Sequence, residues 1–202
     1  MEGSHFMINT IIFDLDGTLI NLNIDFIKLK SEVQALLKMK EPPTPFLEKI
    51  IEHSSENLSL RNMIWNVIDR VEEESISKVH IFPETIQVIN ELKEKGYNLS
   101  LVTMQGRKIV HKILKKFSLF KLFNPKITRE DSHLRNLQIE LVIKNLKLSK
   151  NQIIMIGDRI NDVNSSKKAG VKCILIRRRY NPLKGTIVIK SLSEIFQYIS
   201  KM

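Results

Sequence analysis

Apolar and polar positions along this chain fall into two rhythms. Short runs of aliphatic, mostly β-branched residues recur at 8–13, 99–103, 153–156, 171–176 and 187–189, with a weaker one at 125–128. Each is too short for a helix and too continuous for a strand with one wet face. Each therefore predicts a strand buried on both faces. Between most of them, apolar residues step by three and four. "ETIQVINELKEKG" puts Ile86, Ile89 and Leu92 on one face and stops at Gly96. "RKIVHKILKKF" and "LQIELVIKNLKL" read the same way. Strands of the first kind alternating with helices of the second predict an α/β fold, a Rossmann-like parallel sheet with helices on both faces.

One segment breaks the alternation. Residues 22–80 carry no strand signal, and helical periods dominate in "FIKLKSEVQALLKM" and "LRNMIWNVIDRVEEESI". "KEPPTP" divides them, because proline ends one helix and can begin the next. The expected organisation is an α/β core made of residues 7–21 and 81–202, with an all-helical insert at 22–80. Residues 1–6, "MEGSHF", are expected to be a cloning remnant, with Met7 as the native start. No internal repeat or low-complexity tract is present.

The strand ends carry the chemistry. In "NTIIFDLDGTLINL" an apolar run stops at Asp14, and Asp16, Gly17 and Thr18 follow. Ligands of open α/β sheets bind beyond the carboxyl ends of the strands. Alternation sends Asp14 and Asp16 to one side, where two carboxylates repel unless a cation or a shared proton intervenes. Mg²⁺ takes carboxylate oxygens and keeps room for water and phosphate. The plainer alternative is a solvated turn with Asp14 and Asp16 as turn formers. "LSLVTMQG" ends a second strand on Thr103, whose hydroxyl could donate to a phosphoryl oxygen or simply be a β-branched strand residue. "QIIMIGDRINDV" ends a third strand in Gly157-Asp158 and carries Asp162 four residues on, in the next helical turn. Both acids can reach one cation.

Composition narrows the field. The chain has 202 residues, 43% hydrophobic and 27% charged, with a formal net charge of +10. Solvated lysine-rich helix faces account for such a charge, and an anionic substrate is compatible with it. Arg177-Arg178-Arg179, with Tyr180 as its aromatic neighbour, is too short for a nucleic-acid track, so no nucleic-acid partner is expected. The single cysteine, Cys173, excludes an internal disulfide and a cysteine-based zinc site, and reads as an apolar filler. No segment reaches the ~18 apolar residues of a membrane span, and no signal peptide is evident. A cytoplasmic protein is expected.

"FDLDGTLI", "LVTMQ" and "IMIGDRINDVNSSKKAGV" resemble the first, second and fourth motifs of the haloacid dehalogenase-like (HAD) hydrolase superfamily. The helical insert after the first motif resembles the C1-type cap of its phosphoglycolate-phosphatase-like members. The resemblance implies a cap that closes over the site. It also implies Asp14 as nucleophile and Asp16 as acid/base. Thr103, Met104 and Leu15 would hold phosphoryl oxygens. Mg²⁺ would sit between Asp14, the backbone carbonyl of Asp16, and Asp158, supported by Asp162. The substrate would be a small phosphorylated metabolite.

Two departures stand out. Met104 replaces the asparagine that often follows Ser or Thr in the second motif. The Lys-Pro pair of the third motif is absent from "ITREDSHLRNLQIELVIKNLKLS". Arg135 is the preferred substitute cation, with Lys144 and Arg107 as alternatives; His133 is not convincing. The functional expectation is a Mg²⁺-dependent phosphatase working through an aspartyl-phosphate. A sugar-phosphate mutase, or a non-catalytic binding protein on the same core, stays open. A dehalogenase is disfavoured by Asp16, and no marker of a phosphonatase lysine is seen.

Overall fold

A computed structural model describes residues 7–44, 46–178 and 182–199, with the side chain of residue 48 left aside. Residues 1–6, and Arg179 and Tyr180 of the basic run, lie outside the described residues. The chain divides into two compact units, one formed by residues up to Asn21 and from His80 onward, the other by Leu22–Val79.

The first unit is built on β1 (Thr10–Phe13), which is wholly buried. A two-residue strand, β2 (Ile20–Asn21), leads into the helical unit of α1 (Phe26–Leu37), α2 (Phe46–Ser54) and α3 (Leu58–Ser75). The chain returns through β3 (His80–Ile81), which pairs antiparallel with β2. Then follow α4 (Thr85–Glu94), β4 (Asn98–Val102), α5 (Arg107–Lys116), β5 (Lys126–Ile127) and α6 (Arg135–Leu146). The last elements are β6 (Ile153–Gly157), α7 (Ile160–Ala169), β7 (Lys172–Ile176), β8 (Ile187–Ile189) and α8 (Phe196–Ile199). The main sheet has six strands in the order β5-β4-β1-β6-β7-β8, and every neighbouring pair is parallel. The fold class expected from the pattern, a Rossmann-like α/β sheet, is the one observed.

β1 is central because it is apolar on both faces. Its residues Ile11, Ile12 and Phe13 are 0% exposed. It pairs with β4 on one side and β6 on the other, so its end is where the connections diverge and a ligand crevice forms. Ile12, Val102, Met155, Ile139 and Val142 share one core layer with α6, and Cys173 packs half-buried against it. The helical unit has its own core of Leu29, Val33, Ile50, Ile64, Ile68 and Val71. Trp65, half-buried, packs against that cluster.

The structure corrects one helix face. In α4 the buried residues are Thr85, Val88, Ile89 and Leu92, while Ile86 is 37% exposed. Steps of three alone drift backwards around a helix, and the i, i+3, i+4, i+7 stripe that faces the sheet leaves Ile86 at its margin. No described helix is long and apolar enough to cross a membrane.

Candidate active site

Asp14 is the residue after β1. Its N–H donates to the carbonyl of Ile156 at 2.9 Å, which extends the ladder one step and fixes where its side chain leaves the sheet. The side chain is 5% exposed. Asp158 follows β6, the adjacent strand, and Asp162 lies in the first turn of α7. One carboxylate oxygen from each of Asp14, Asp158 and Asp162 lies within 4.8 Å of the other two. Among the described residues, these are the acids that gather so. Asp16 sits half-buried in the turn beyond, and its carboxylate is not one of the three.

Two glycines make the approach possible. A β-carbon on Gly157 would lie 2.4 Å from Cγ of Asp162, so only glycine leaves room for that carboxylate beside β6. At Gly17, φ is +88° and a β-carbon would lie 2.2 Å from Oδ2 of Asp158. The turn from Leu15 to Ile20 is closed by Gly17 N–H to Ile20 O at 2.8 Å and by Leu19 N–H to Leu15 O at 2.9 Å. Leu15 has its side chain fully buried, so only its backbone can face a ligand.

One buried cation meets this acidic group. Arg135 opens α6 and is 8% exposed. Its Nη2 donates to Asp14 Oδ1 at 2.6 Å, and its Nε lies 3.2 Å from Asp162 Oδ1. Nη1 donates to Gln138 Oε1 at 3.0 Å. Gln138, one turn on, donates to the carbonyl of Thr103 at 2.8 Å and to that of Ser132 at 2.9 Å. The Thr103 hydroxyl is engaged by Gln105. Met104 is half-buried, and its carbonyl accepts from the buried Arg129 at 3.2 Å. The other cations weighed from the sequence lie elsewhere. Lys144 is exposed in the last turn of α6, and Arg107 is exposed and paired with Asp131 at 2.6 Å. His133 is half-buried before α6.

Electrostatics follow from this crowding. Burial pushes the Asp14 carboxyl up to about 8; Arg135 opposes the shift, while Asp162, Asp158 and Asp16 add to it. Burial likewise raises Asp158 to about 6, with Arg159 opposing and Asp162 and Asp16 reinforcing. Three acids and one arginine leave an excess of negative charge in a poorly solvated place. Asp158 Oδ1 is buried without a hydrogen-bond partner. A small cluster of oxygen donors with an unsatisfied buried oxygen fits a hard divalent cation.

Several contributors were not read from the sequence. Gln138 lies three residues after Arg135, hence on the same helix face, and that spacing is the one signal that could have found it. Gln105 lies within the second motif and Arg178 within the basic run, but neither position, nor that of Arg129, reveals its contacts, which depend on which loops meet.

Comparison with known proteins gives the family and the fold. Residues 11–176 match the family model of the haloacid dehalogenase-like hydrolases. The chain belongs to that family and is a hydrolase. It is 25% identical over 213 residues to the pyrophosphatase PpaX of Bacillus mycoides (strain KBAB4), covering 96% of this chain and 98% of that protein. The HAD phosphatase from Thermococcus onnurineus shares its fold with a TM-score of 0.67 at 22% identity, covering 94% of this chain and 97% of the other. YfnB from Bacillus subtilis, solved bound to magnesium, superposes with a TM-score of 0.68 at 16% identity, covering 96% and 99%. At such identities the structural likeness concerns the fold alone.

Proposed function

We propose that this hydrolase is a Mg²⁺-dependent phosphatase that cleaves a small phosphomonoester through an aspartyl-phosphate. The observation that carries the reading is the buried Asp14 at the end of β1, with Asp158 and Asp162 within 4.8 Å and Arg135 donating to it at 2.6 Å. A lone buried carboxylate would be a poor nucleophile, because burial holds its proton. Set among a cation site and an arginine it can be ionised and aimed.

Asp14 attacks phosphorus, the bond to the leaving oxygen breaks, and Asp16 gives that oxygen its proton. Asp16 then takes a proton from water as the water attacks the phosphorus, and Asp14 leaves as carboxylate with inorganic phosphate released. Arg135 turns from Asp14 toward the phosphoryl oxygens and holds the charge that spreads over them. Thr103 and Met104 after β4, with the backbone of Leu15 after β1, stand at the carboxyl end of the sheet and would complete the phosphoryl cradle. Asp14, Asp158, Asp162 and the backbone of Asp16 would hold Mg²⁺, which supplies positive charge between two anions.

The test is turnover of p-nitrophenyl phosphate by wild type and Asp14→Asn, with Mg²⁺ and with EDTA. Mg²⁺-dependent release abolished by the substitution is expected. No release from a folded wild type would move weight to a non-catalytic binding protein on the same core. Phosphoglycolate, nucleotide and sugar phosphates follow, together with pyrophosphate, the substrate in the Bacillus relative's name. Transfer to a sugar hydroxyl faster than to water would indicate a mutase.

A further inference from the structure

Arg178 lies just beyond β7, and its guanidinium reaches the turn after β1. Nη1 donates to the carbonyl of Gly17 at 2.9 Å and Nη2 to that of Thr18 at 3.1 Å. Nη2 also meets Glu84 Oε1 at 3.1 Å. The guanidinium plane is stacked on Phe82, with Cζ 3.3 Å from the ring centroid. The same Glu84 oxygen accepts the N–H of Leu192 at 3.3 Å. Two stretches remote in sequence, residues 17–18 and 82–84, meet on one planar cation, and a third, at Leu192, is joined to it through Glu84.

What that cation grips is the turn that follows Asp16. The hydrogen bonds from Gly17 to Ile20 and from Leu19 to Leu15 shape the turn internally, but they do not tie it to the rest of the unit. Leu19 is tied from outside, since its carbonyl accepts from Phe82 N–H at 3.2 Å and Thr85 Oγ1 at 2.9 Å. The carbonyls of Gly17 and Thr18 are tied by Arg178. Gly17 stands so close to Asp158 that any drift of the turn changes the separation of Asp16 from both Asp14 and Asp158. A displacement of about 1 Å in such a group costs on the order of 100-fold in rate.

We propose that Arg178 is a positioning residue for the acid/base turn, holding Asp16 in register with Asp14 without touching the substrate. The proposal rests on the phosphatase reading for its kinetic consequence. Arginine suits the task because its fork donates to two carbonyls and a carboxylate while its face stacks on a ring; lysine could serve one of these at a time. The ion pair is partly open to water, with side chains 29% and 22% exposed, so removing it leaves no large cavity and the fold should survive.

The experiment compares wild type, Arg178→Ala and Arg178→Lys with Mg²⁺. For Arg178→Ala, kcat on p-nitrophenyl phosphate should fall about 10- to 100-fold while KM stays within about threefold. Arg178→Lys should fall between the two. Millimolar guanidinium should restore part of the kcat of Arg178→Ala and none in Asp14→Asn. Amide exchange read over residues 14–22 should quicken about tenfold in Arg178→Ala and stay unchanged over β6 and α6. Unchanged kcat in an otherwise active enzyme, or exchange that does not quicken in the turn, overturns the proposal. Exchange quickened evenly over the whole unit also overturns it, because that is general destabilisation. If wild type releases no phosphate, the phosphatase reading fails separately, and the exchange pattern decides whether Arg178 tethers the turn.

Discussion

At Gly17 three demands coincide. Its φ of +88° lies in the left-handed region, its missing side chain makes room for Asp158, and its carbonyl is held by Arg178. Alanine here would incur the left-handed penalty of about 1–2 kcal/mol and would also collide with a carboxylate. Gly17→Ala is expected to lower stability by at least about 1 kcal/mol and phosphatase turnover by about 100-fold, read by urea denaturation and p-nitrophenyl phosphate hydrolysis. Turnover close to wild type would show that the turn can relax without moving Asp16. Gly17 is legible in sequence because a turn after two acids needs it. The cation near Asp14 was less so. Arg135, Lys144 and Arg107 were separated by burial and direction, which spacing along the chain does not give.

Among the elements, α6 links the ends of β1 and β4. It starts with Arg135 against Asp14, and Gln138 on its next turn holds the carbonyl of Thr103 beyond β4. Gln138→Ala would leave that buried carbonyl without its donor and Arg135 without its brace. We expect a loss of about 1–3 kcal/mol in stability and at least about tenfold in kcat, the first read by denaturation and the second by steady-state kinetics. Stability lost with kcat intact would make Gln138 purely a scaffold residue. The pattern of strands and helices was legible because continuous apolar runs and stepped apolar faces are different signals. The β2–β3 ribbon was not read, since two-residue strands carry no period. Likewise the break between α2 and α3 was not read; there Asn57 accepts from Leu60 N–H at 2.9 Å, and Arg61 donates to the carbonyls of Ser54 and Ser55 at 2.9 and 2.8 Å.

For the molecule as a whole, the cluster of acids ties stability to pH. The unfolded chain gives up the Asp14 proton near the ordinary 3.8, whereas the folded chain keeps it until about 8. Between those values the folded state binds more protons, so stability falls as pH rises and levels off above about 8. Asp158, raised to about 6, works in the same direction over the lower part of that range. In EDTA the thermal midpoint should therefore decline from pH 5 to pH 8, and Mg²⁺ should offset most of that decline by binding the ionised carboxylates. A midpoint that rises over this range in EDTA would refute the assigned protonation of the site. By itself the sequence determined the order of the main-sheet strands and of the helices between them, the helical character of the stretch that interrupts them, and which acids end the apolar runs, because those features are written in local periodicity and turn chemistry. Only the tertiary structure decided that β1 lies between β4 and β6, that Asp14, Asp158 and Asp162 share one small space, that Arg135 reaches them, and that Arg178 reaches the turn after Asp16. Those outcomes depend on strand order and on the packing of loops far apart in the chain, and local patterns do not encode them.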